Sequence, residues 1–154
     1  MSAQLPYPSE ILPHRSPMLY VDELSELTPG KSASGLWTPD QAEFEGHFPD
    51  MAILPGVKCV EAVAQVGAIA VIAEHKGMVP LFTVSEEARF VSMIFPGDTV
   101  RIEASINDID EKTGDVRGDG ATFTERAQAS SSKFRFKLVT PEKLRAIVAS
   151  QRQA

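Results

Sequence analysis

The sequence predicts an α+β fold that combines several strands with one buried helix. Between Cys59 and Ala73, every residue is apolar or glycine except Glu61 and Gln65. A helix that is apolar on all sides is buried on all sides, so this stretch predicts a core helix. Other segments alternate apolar and polar residues with the period of two that is typical of half-buried strands, most sharply over residues 133–139.

The bulk properties indicate one globular domain. The chain has 154 residues, of which 43% are hydrophobic, and this is enough for a single core. We therefore predict one domain over residues 1–154, with residues 140–154 as a C-terminal helical extension. The first ten residues lack the charged start and the apolar run of a secretory signal, so the expected location is cytoplasmic.

Charge and ligand spacing argue against several classes of function. The net charge is −6 and no sustained basic face is present, which disfavours nucleic acid and anionic membranes as partners. A single cysteine cannot form an internal disulfide, and Cys59 suits a small hydrophobic residue in a reducing compartment. Three scattered histidines lack the spacing of metal ligands, so neither a metal nor another cofactor is predicted.

The core helix has recognisable ends. Pro55 stands where a first helical position tolerates proline, and Gly77 stands where helices commonly terminate. The helix is shorter than a bilayer span of about 20 residues and carries an acid, which favours a protein core. Glu61 and Gln65 are four residues apart and share one face. Burial is expected to raise the pKa of Glu61, unless this residue is structural and pairs with a buried donor or emerges at the helix start.

The remaining elements follow from alternation and turn residues. A proline-rich lead over residues 5–18, with a short helical turn at residues 9–12, precedes the first strand. Thr140 is predicted to cap the final helix, with Pro141 at its first position. The predicted strands cover residues 18–26, 32–38, 81–89, 92–95, 100–106, 121–128 and 133–139, and residues 107–120 are predicted to form a wide solvated hairpin.

Three motifs in and before the core helix are more specific than any periodicity. They are FEGHFP at residues 44–49, LPGV at residues 54–57 and EAVAQ at residues 61–65. In this order they resemble the 3-hydroxyacyl-[acyl-carrier-protein] dehydratases of type II fatty acid synthesis. Three more segments agree in order and spacing, and extend the resemblance over residues 10–107: LPHR at 12–15, EARF at 87–90 and FPGD at 95–98.

The resemblance implies both a fold and an activity. The fold is the hot-dog fold, in which a bent antiparallel sheet wraps around a long central helix. The activity is elimination of water from (3R)-3-hydroxyacyl thioesters to give trans-2-enoyl thioesters, with the substrate presented by an acyl carrier protein. The resemblance also implies a homodimer, or a trimer of such dimers, in which His47 of one chain meets the partner's Glu61.

The chemistry of dehydration suits these residue types. A neutral imidazole suits removal of the C2 proton because its pKa lies near neutrality. A carboxyl group in a dry site can stay protonated and donate to the departing C3 hydroxyl, and the first N–H groups of the core helix can stabilise the thioester oxygen. Each residue also has an ordinary structural alternative, in a turn or in core packing. The predicted catalytic residues are His47 and Glu61, and the predicted substrate-binding residues are Gly56, Val57, Phe48 and Gln65, which can orient Glu61.

Three other interpretations stay open at this stage. A hot-dog thioesterase would use the same helix to activate water, although the motifs resemble dehydratases more closely. A dehydratase of a specialised polyketide or polyene pathway would use the same chemistry. A non-catalytic acyl-binding partner would not need to retain both His47 and Glu61. His14 is interpreted as a structural residue and not as a second catalytic histidine.

The surface that would receive the carrier protein departs from the family pattern. Basic residues that the family usually carries after residue 90 are replaced here by VSM at residues 91–93. This loss weakens the attraction for an acidic carrier. The row formed by Lys133, Arg135 and Lys137 is either a solvated strand face or a docking strip for the carrier.

Overall fold

Six antiparallel strands form one sheet in the computed structural model, which describes residues 3–154. The elements in chain order are α1 (Pro8–Ile11), β1 (Glu23–Thr28), β2 (Ser32–Trp37), a 3₁₀ turn (Gln41–Phe44), α2 (Gly56–Glu74), β3 (Val79–Phe90), β4 (Val100–Ile109), β5 (Asp115–Phe123), β6 (Gln128–Val139) and α3 (Pro141–Arg152). The strand order in the sheet is β1-β2-β4-β5-β6-β3. α2 packs against β2, β3, β4, β5 and β6, which confirms the predicted α+β arrangement.

The core helix α2 is buried along most of its length. Every residue from Ala62 to Val71 is buried. By length and apolar composition alone α2 is long enough to cross a membrane, so the length argument made from the sequence is wrong, and burial against the sheet is what identifies a core helix. Pro55 is the cap that precedes α2 and not its first residue, because its ψ of 126° is not helical. Gly77 follows the helix with a φ of 83°, the conformation that favours glycine.

Glycines let α2 and the neighbouring strands approach one another closely. A Cβ at Gly67 of α2 would lie 2.5 Å from Cζ of Phe134, and a Cβ at Gly118 of β5 would lie 2.4 Å from the same atom. A Cβ at Gly120 would lie 2.3 Å from the Glu103 carbonyl oxygen. Glycine is needed in β5 because a ring and a neighbouring backbone occupy the space of its side chains.

The hairpin predicted over residues 107–120 forms between β4 and β5, but its turn is narrower than predicted, and the strand predicted over residues 121–128 is displaced. β5 begins at Asp115 and ends at Phe123, so it spans the boundary between the two predictions. Asp and Gly usually mark turns, and the sequence of residues 107–120 therefore indicated a wide turn. In the fold, the glycines of β5 serve close packing.

The first and third strands also differ from their predictions. The strand predicted over residues 18–26 begins only at Glu23, because the backbone N–H of Tyr20 donates to the side chain of Gln65 and not to a strand. β3 is one continuous strand, and residues 92–95, predicted as a separate strand, lie outside the sheet. The hydrogen bond from Tyr20 to Gln65 thus links the lead segment before β1 to α2.

The two edges of the sheet have different surfaces. β1 is a short strand that exposes Glu23 and Glu26, and charged side chains of this kind discourage pairing at an edge. β3 forms the opposite edge, where it pairs with β6 on one side. Phe82, Val84 and Phe90 of β3 are exposed. A long edge with exposed apolar side chains is a surface on which another strand can pair.

The C-terminal helix forms where it was predicted. Thr140 Oγ1 accepts a hydrogen bond of 3.1 Å from the Lys143 N–H, and Pro141 occupies the first position of α3. No residue of α3 is buried. This helix is therefore added outside the core.

Candidate active site

His47 lies in a turn that fixes the direction of its ring. The His47 N–H donates to the Phe44 carbonyl oxygen at 3.1 Å, and the Ile53 N–H donates to the His47 carbonyl oxygen at 2.9 Å. Nδ1 of His47 lies 3.0 Å from the Ile53 carbonyl oxygen. Because a carbonyl oxygen only accepts, Nδ1 carries the proton of the neutral ring, and Nε2 keeps a free lone pair.

A cavity of about 440 Å³ lies beside His47. Gly56 and Val57, from the first turn of α2, line it together with Phe90. Pro55 supplies no side-chain cap, so the first N–H groups of α2 are available to an oxygen atom of a ligand. A Cβ at Gly56 would lie 2.6 Å from the Phe90 ring, and the glycine therefore makes room for that ring.

Glu61 lies one turn further along α2 and lines a different cavity, of about 250 Å³. Gln65 Nε2 donates to Glu61 Oε1 at 3.0 Å. His14 Nε2 lies 3.6 Å from the same oxygen. Within residues 3–154, no hydrogen bond reaches Oε2. One carboxylate oxygen is therefore held, and the other is free to meet a ligand.

His47 and Glu61 do not meet within one chain. The two cavities have no lining residue in common, and no hydrogen bond or ion pair joins the two side chains. A single chain therefore contains two separate half-sites, one with an imidazole and one with a carboxyl group.

Opposing effects set the protonation of Glu61. Partial burial raises the pKa of its carboxyl group, and this is the largest single effect. The contacts with His14 and Gln65, together with the charge on His14, outweigh it and hold the pKa below its ordinary value. The rise in pKa expected of a Glu61 without a partner is therefore wrong for the single chain, where the alternative of a carboxyl group paired with donors applies.

The predicted substrate-binding residues divide into two groups. Phe48 and Val57 are 49% and 71% exposed, so both offer apolar surface next to His47. Gln65 is only 1% exposed, and its amide bonds to the backbone of the lead segment as well as to Glu61. Gln65 is thus an interior anchor that orients Glu61.

His14, interpreted from the sequence as a structural residue, lies in the cavity of Glu61. Arg15 positions it, because the Arg15 guanidinium donates to the carbonyl oxygens of Leu12, at 2.8 Å, and of His14, at 2.6 Å. The resulting turn points the imidazole into the cavity of Glu61. The available signal was the LPHR motif, which matched the family in order and spacing but was assigned to the structural lead.

The site has the groups that acid–base chemistry needs. Within residues 3–154, no three His, Cys, Asp or Glu side chains come together as ligands for a metal ion. The polar groups that line the two cavities include two imidazoles, a carboxyl group and an amide. Groups of this kind transfer protons and hold their partners in place.

The basic row on β6 is not a free positive surface. Each cation of the row lies next to an acidic side chain on a neighbouring strand. A neutralised row gives little steering to an acidic partner, so the docking strip proposed from the sequence is not supported. The pairs are Lys133 with Glu87 at 3.1 Å, Arg135 with Glu86 at 3.0 Å and Lys137 with Asp115 at 3.1 Å.

Comparison with known proteins identifies the family. The family model described as the FabA-like domain matches residues 12–133. The chain belongs to the FabA-like family. Its FabA-like relatives include two proteins named 3-hydroxyacyl-[acyl-carrier-protein] dehydratase FabZ. One, from Clostridium acetobutylicum, is 36% identical over 138 residues, which cover 87% of this chain and 98% of the relative. The other, from a Thermoanaerobacter species, is 42% identical over 131 residues, which cover 82% and 91%.

Solved structures confirm the hot-dog fold of this FabA-like chain. The dehydratase heterocomplex ApeI:P from Xenorhabdus doucetiae matches with a TM-score of 0.75 at 15% identity, over 94% of this chain and 99% of that chain. A hot-dog-like protein from Thermanaerovibrio acidaminovorans matches with a TM-score of 0.67 at 12% identity, over 81% and 93%. A Thermus thermophilus member of the thioesterase superfamily matches with a TM-score of 0.68 at 16% identity, over 84% and 96%. At these identities the likeness shows the fold alone.

Proposed function

We propose that this FabA-like protein is a dehydratase of fatty acid synthesis in the cytoplasm. It removes water from (3R)-3-hydroxyacyl thioesters carried on an acyl carrier protein and gives trans-2-enoyl thioesters. The observation that carries the proposal is the similarity to named dehydratases over almost their whole length. The arrangement of the two half-sites agrees with it, since a base, an acid and a set of N–H donors are what the reaction needs.

His47 is the base of the proposed reaction. Its Nδ1–H is held by the Ile53 carbonyl oxygen, so Nε2 takes the proton from C2 of the substrate. The electron pair of the broken C2–H bond forms the double bond to C3. The negative charge that develops on the thioester oxygen is met by the N–H groups of Gly56 and Val57 at the start of α2.

Glu61 delivers the proton to the departing C3 hydroxyl, which leaves as water. In the open cavity its side chain is 27% exposed. A bound acyl chain covers that surface and strengthens the effect of burial, which acts to raise the pKa of the carboxyl group against the effect of its donors. The bound substrate therefore favours the protonated form, which is the form that acts as an acid.

A second copy of the chain completes the site in this proposal. The exposed edge of β3 continues into exposed apolar residues beside the His47 cavity, including Val91 and Met93. A twofold interface places the same surface on both protomers. It brings His47 of one protomer to the cavity that holds the partner's Glu61, and the reverse. A trimer of such dimers is the larger assembly that the family resemblance implies.

A product assay tests the proposed activity. The purified protein is mixed with a 3-hydroxyacyl thioester of acyl carrier protein and, separately, with a saturated acyl thioester. We expect enoyl product, with His47→Ala and Glu61→Gln each at least about tenfold slower. Glu74→Gln, an exposed acid at the end of the same helix, serves as the matched control and should keep the wild-type rate.

The other outcomes of this assay contradict the proposal. Free thiol without enoyl product is the result expected of a thioesterase, and absence of both products is the result expected of an acyl-binding partner. If enoyl product forms, a series of acyl groups and a comparison of carrier protein with coenzyme A define the natural substrate. A marked preference for an acyl group foreign to fatty acids would assign the same reaction to a specialised pathway.

A further inference from the structure

His14 is a half-buried histidine to which neither the motifs nor the proposed reaction gives a role. Its Nε2 lies 3.6 Å from Glu61 Oε1. Its Nδ1 is buried and has no hydrogen-bond partner within residues 3–154. A buried N–H without an acceptor is costly, so the proton of the neutral ring belongs on Nε2, which faces the carboxylate.

The two histidines of the site therefore have opposite tautomers. In His47, Nδ1 is protonated and Nε2 is a free acceptor, because Nδ1 lies against the Ile53 carbonyl oxygen. In His14, Nε2 is the donor. A base needs a free lone pair, whereas a residue that holds a carboxylate needs a donor. The tautomers suit His47 for catalysis and His14 for positioning.

Gln65 and His14 act on the same atom. The Gln65 amide donates to Glu61 Oε1 at 3.0 Å, and the imidazole of His14 approaches the same oxygen. Gln65 belongs to α2 and is itself fixed by bonds to the lead segment, whereas His14 belongs to that segment and is fixed by Arg15. Glu61 Oε1 is thus held by Gln65 and approached by His14 from a second direction, while Oε2 stays unpaired within the described chain.

We propose that His14 is a positioning residue, whose Nε2–H holds Glu61 Oε1 so that Oε2 faces the reacting hydroxyl group of the substrate. This inference rests on the proposed dehydratase function for its kinetic consequence. It does not rest on that function for the contact itself, which is a property of the folded protein.

His14 is the titratable neighbour of Glu61 within its cavity. Among the side chains that line this cavity, only His14 and Glu61 are titratable. Tyr20, Glu43 and Lys58 lie near the same end of α2, but Lys58 and Glu43 pair with each other at 2.7 Å. Burial is the main cause that raises the pKa of the Tyr20 hydroxyl, and this group therefore stays neutral. In the proposed dimer the partner's His47 is the further titratable group.

Substitution of His14 tests the proposal. His14→Ala should lower kcat at least about tenfold while KM changes less than about threefold, because substrate binding is kept and orientation is lost. His14→Gln retains an N–H donor at the same reach and should recover kcat to within about threefold of the wild type. In a Glu61→Gln background, His14→Ala should change the residual rate by less than about twofold, since both changes act on one unit.

His75 provides the matched control. It is also a half-buried histidine, its buried Nδ1 has no hydrogen-bond partner among residues 3–154, and its Nε2 lies 2.9 Å from Glu111. It lies at the far end of α2 from the site. His75→Ala should therefore leave kcat within about twofold of the wild type, since it removes a comparable surface ion pair. Equal losses in His14→Ala and His14→Gln, or full additivity with Glu61→Gln, would overturn the proposal.

A measurement without turnover separates this proposal from the proposed function. The side-chain carboxyl of Glu61 is followed by carbon NMR during a pH titration of the whole protein. Loss of the donor should raise the pKa of Glu61 in His14→Leu, which fills the space of the ring, and in His14→Ala. An unchanged pKa overturns the positioning role even if the wild type is an active dehydratase. A raised pKa supports it even if the wild type proves inactive.

Discussion

Gln65 Oε1 accepts a hydrogen bond of 2.8 Å from the backbone N–H of Tyr20, which lies 45 residues earlier in the chain. The Gln65 amide also donates to the Met18 carbonyl oxygen at 2.7 Å. One side chain of the core helix thus replaces the strand partners that this part of the lead segment lacks, and the same side chain orients Glu61.

Gln65→Leu should therefore destabilise the fold. The substitution keeps the apolar volume of the side chain but leaves the buried N–H of Tyr20 without an acceptor. We expect a loss of about 2–3 kcal/mol in the free energy of unfolding. Urea unfolding at one fixed protein concentration measures it. The control is Gln151→Leu on the exposed face of α3, which should change stability by less than about 0.5 kcal/mol; equal losses in the two variants would contradict the anchoring role.

The two site histidines should show their tautomers directly. Nitrogen NMR of the neutral rings should report a protonated Nδ1 for His47, because that atom faces the Ile53 carbonyl oxygen. It should report a protonated Nε2 for His14, whose Nδ1 has no partner in the described chain. His47→Gln and His14→Gln assign the signals. A protonated Nε2 in His47 would remove the free lone pair that the proposed base requires.

The exposed edge of β3 should be the site of dimer formation. Val84 is exposed on this strand, and Val84→Lys places a charge where two edges would pair, which discourages pairing. We expect this variant to sediment as a monomer. Ser25→Lys places the same charge on β1, at the opposite edge of the sheet, and should remain a dimer. A dimeric Val84→Lys, or a monomeric Ser25→Lys, would exclude pairing through β3.

Asp98 should contribute stability that depends on pH. Two hydrogen bonds from Arg126, at 2.7 and 2.6 Å, lower the pKa of the Asp98 carboxyl group, and burial opposes them. Because the pKa is lower in the folded state, the stabilisation is present above the unfolded value of about 3.9 and is lost as the pH falls through the folded value. Asp98→Asn should thus be less stable than the wild type at pH 7.

The difference between Asp98→Asn and the wild type should shrink as the pH falls from about 4 through the lower pKa of the folded state, below which the carboxyl group is neutral in both states. Thermal unfolding at a series of pH values measures it. Asp108→Asn, an exposed acid on β4, should show no comparable change. A difference for Asp98→Asn that stays constant with pH would mean that the Arg126 contact does not stabilise the fold.

Elements could be predicted from the sequence where their residue pattern has only one physical explanation. Continuous apolar character predicted α2 because a helix that is apolar on all sides is buried on all sides, and sharp alternation predicted the C-terminal part of β6. Asp and Gly at the start of β5 misled the prediction because glycine serves both turns and close packing. Only the position of the Phe134 ring, known from the fold, decides between them.

The candidate site could likewise be predicted only in part. Local motifs indicated His47 and Glu61 as candidate site residues, but their separation into two cavities could not be predicted, since it depends on how the turn and the helix pack. The role of Gln65 as an anchor and the approach of His14 to Glu61 are contacts between residues 45 or more positions apart. Periodicity carries no information on such contacts, and the direction of the Glu61 pKa shift depends on them.

Subunit complementation tests the central claim most directly, that His47 of one protomer works with the partner's Glu61. His47→Ala and Glu61→Gln, each expected to be at least about tenfold slower than the wild type, are unfolded together, refolded and assayed. Random pairing makes half of the dimers mixed, and each mixed dimer holds one intact site. The account predicts recovery of about one quarter of the wild-type activity. A mixed sample that forms dimers but stays as inactive as the two variants alone would contradict it.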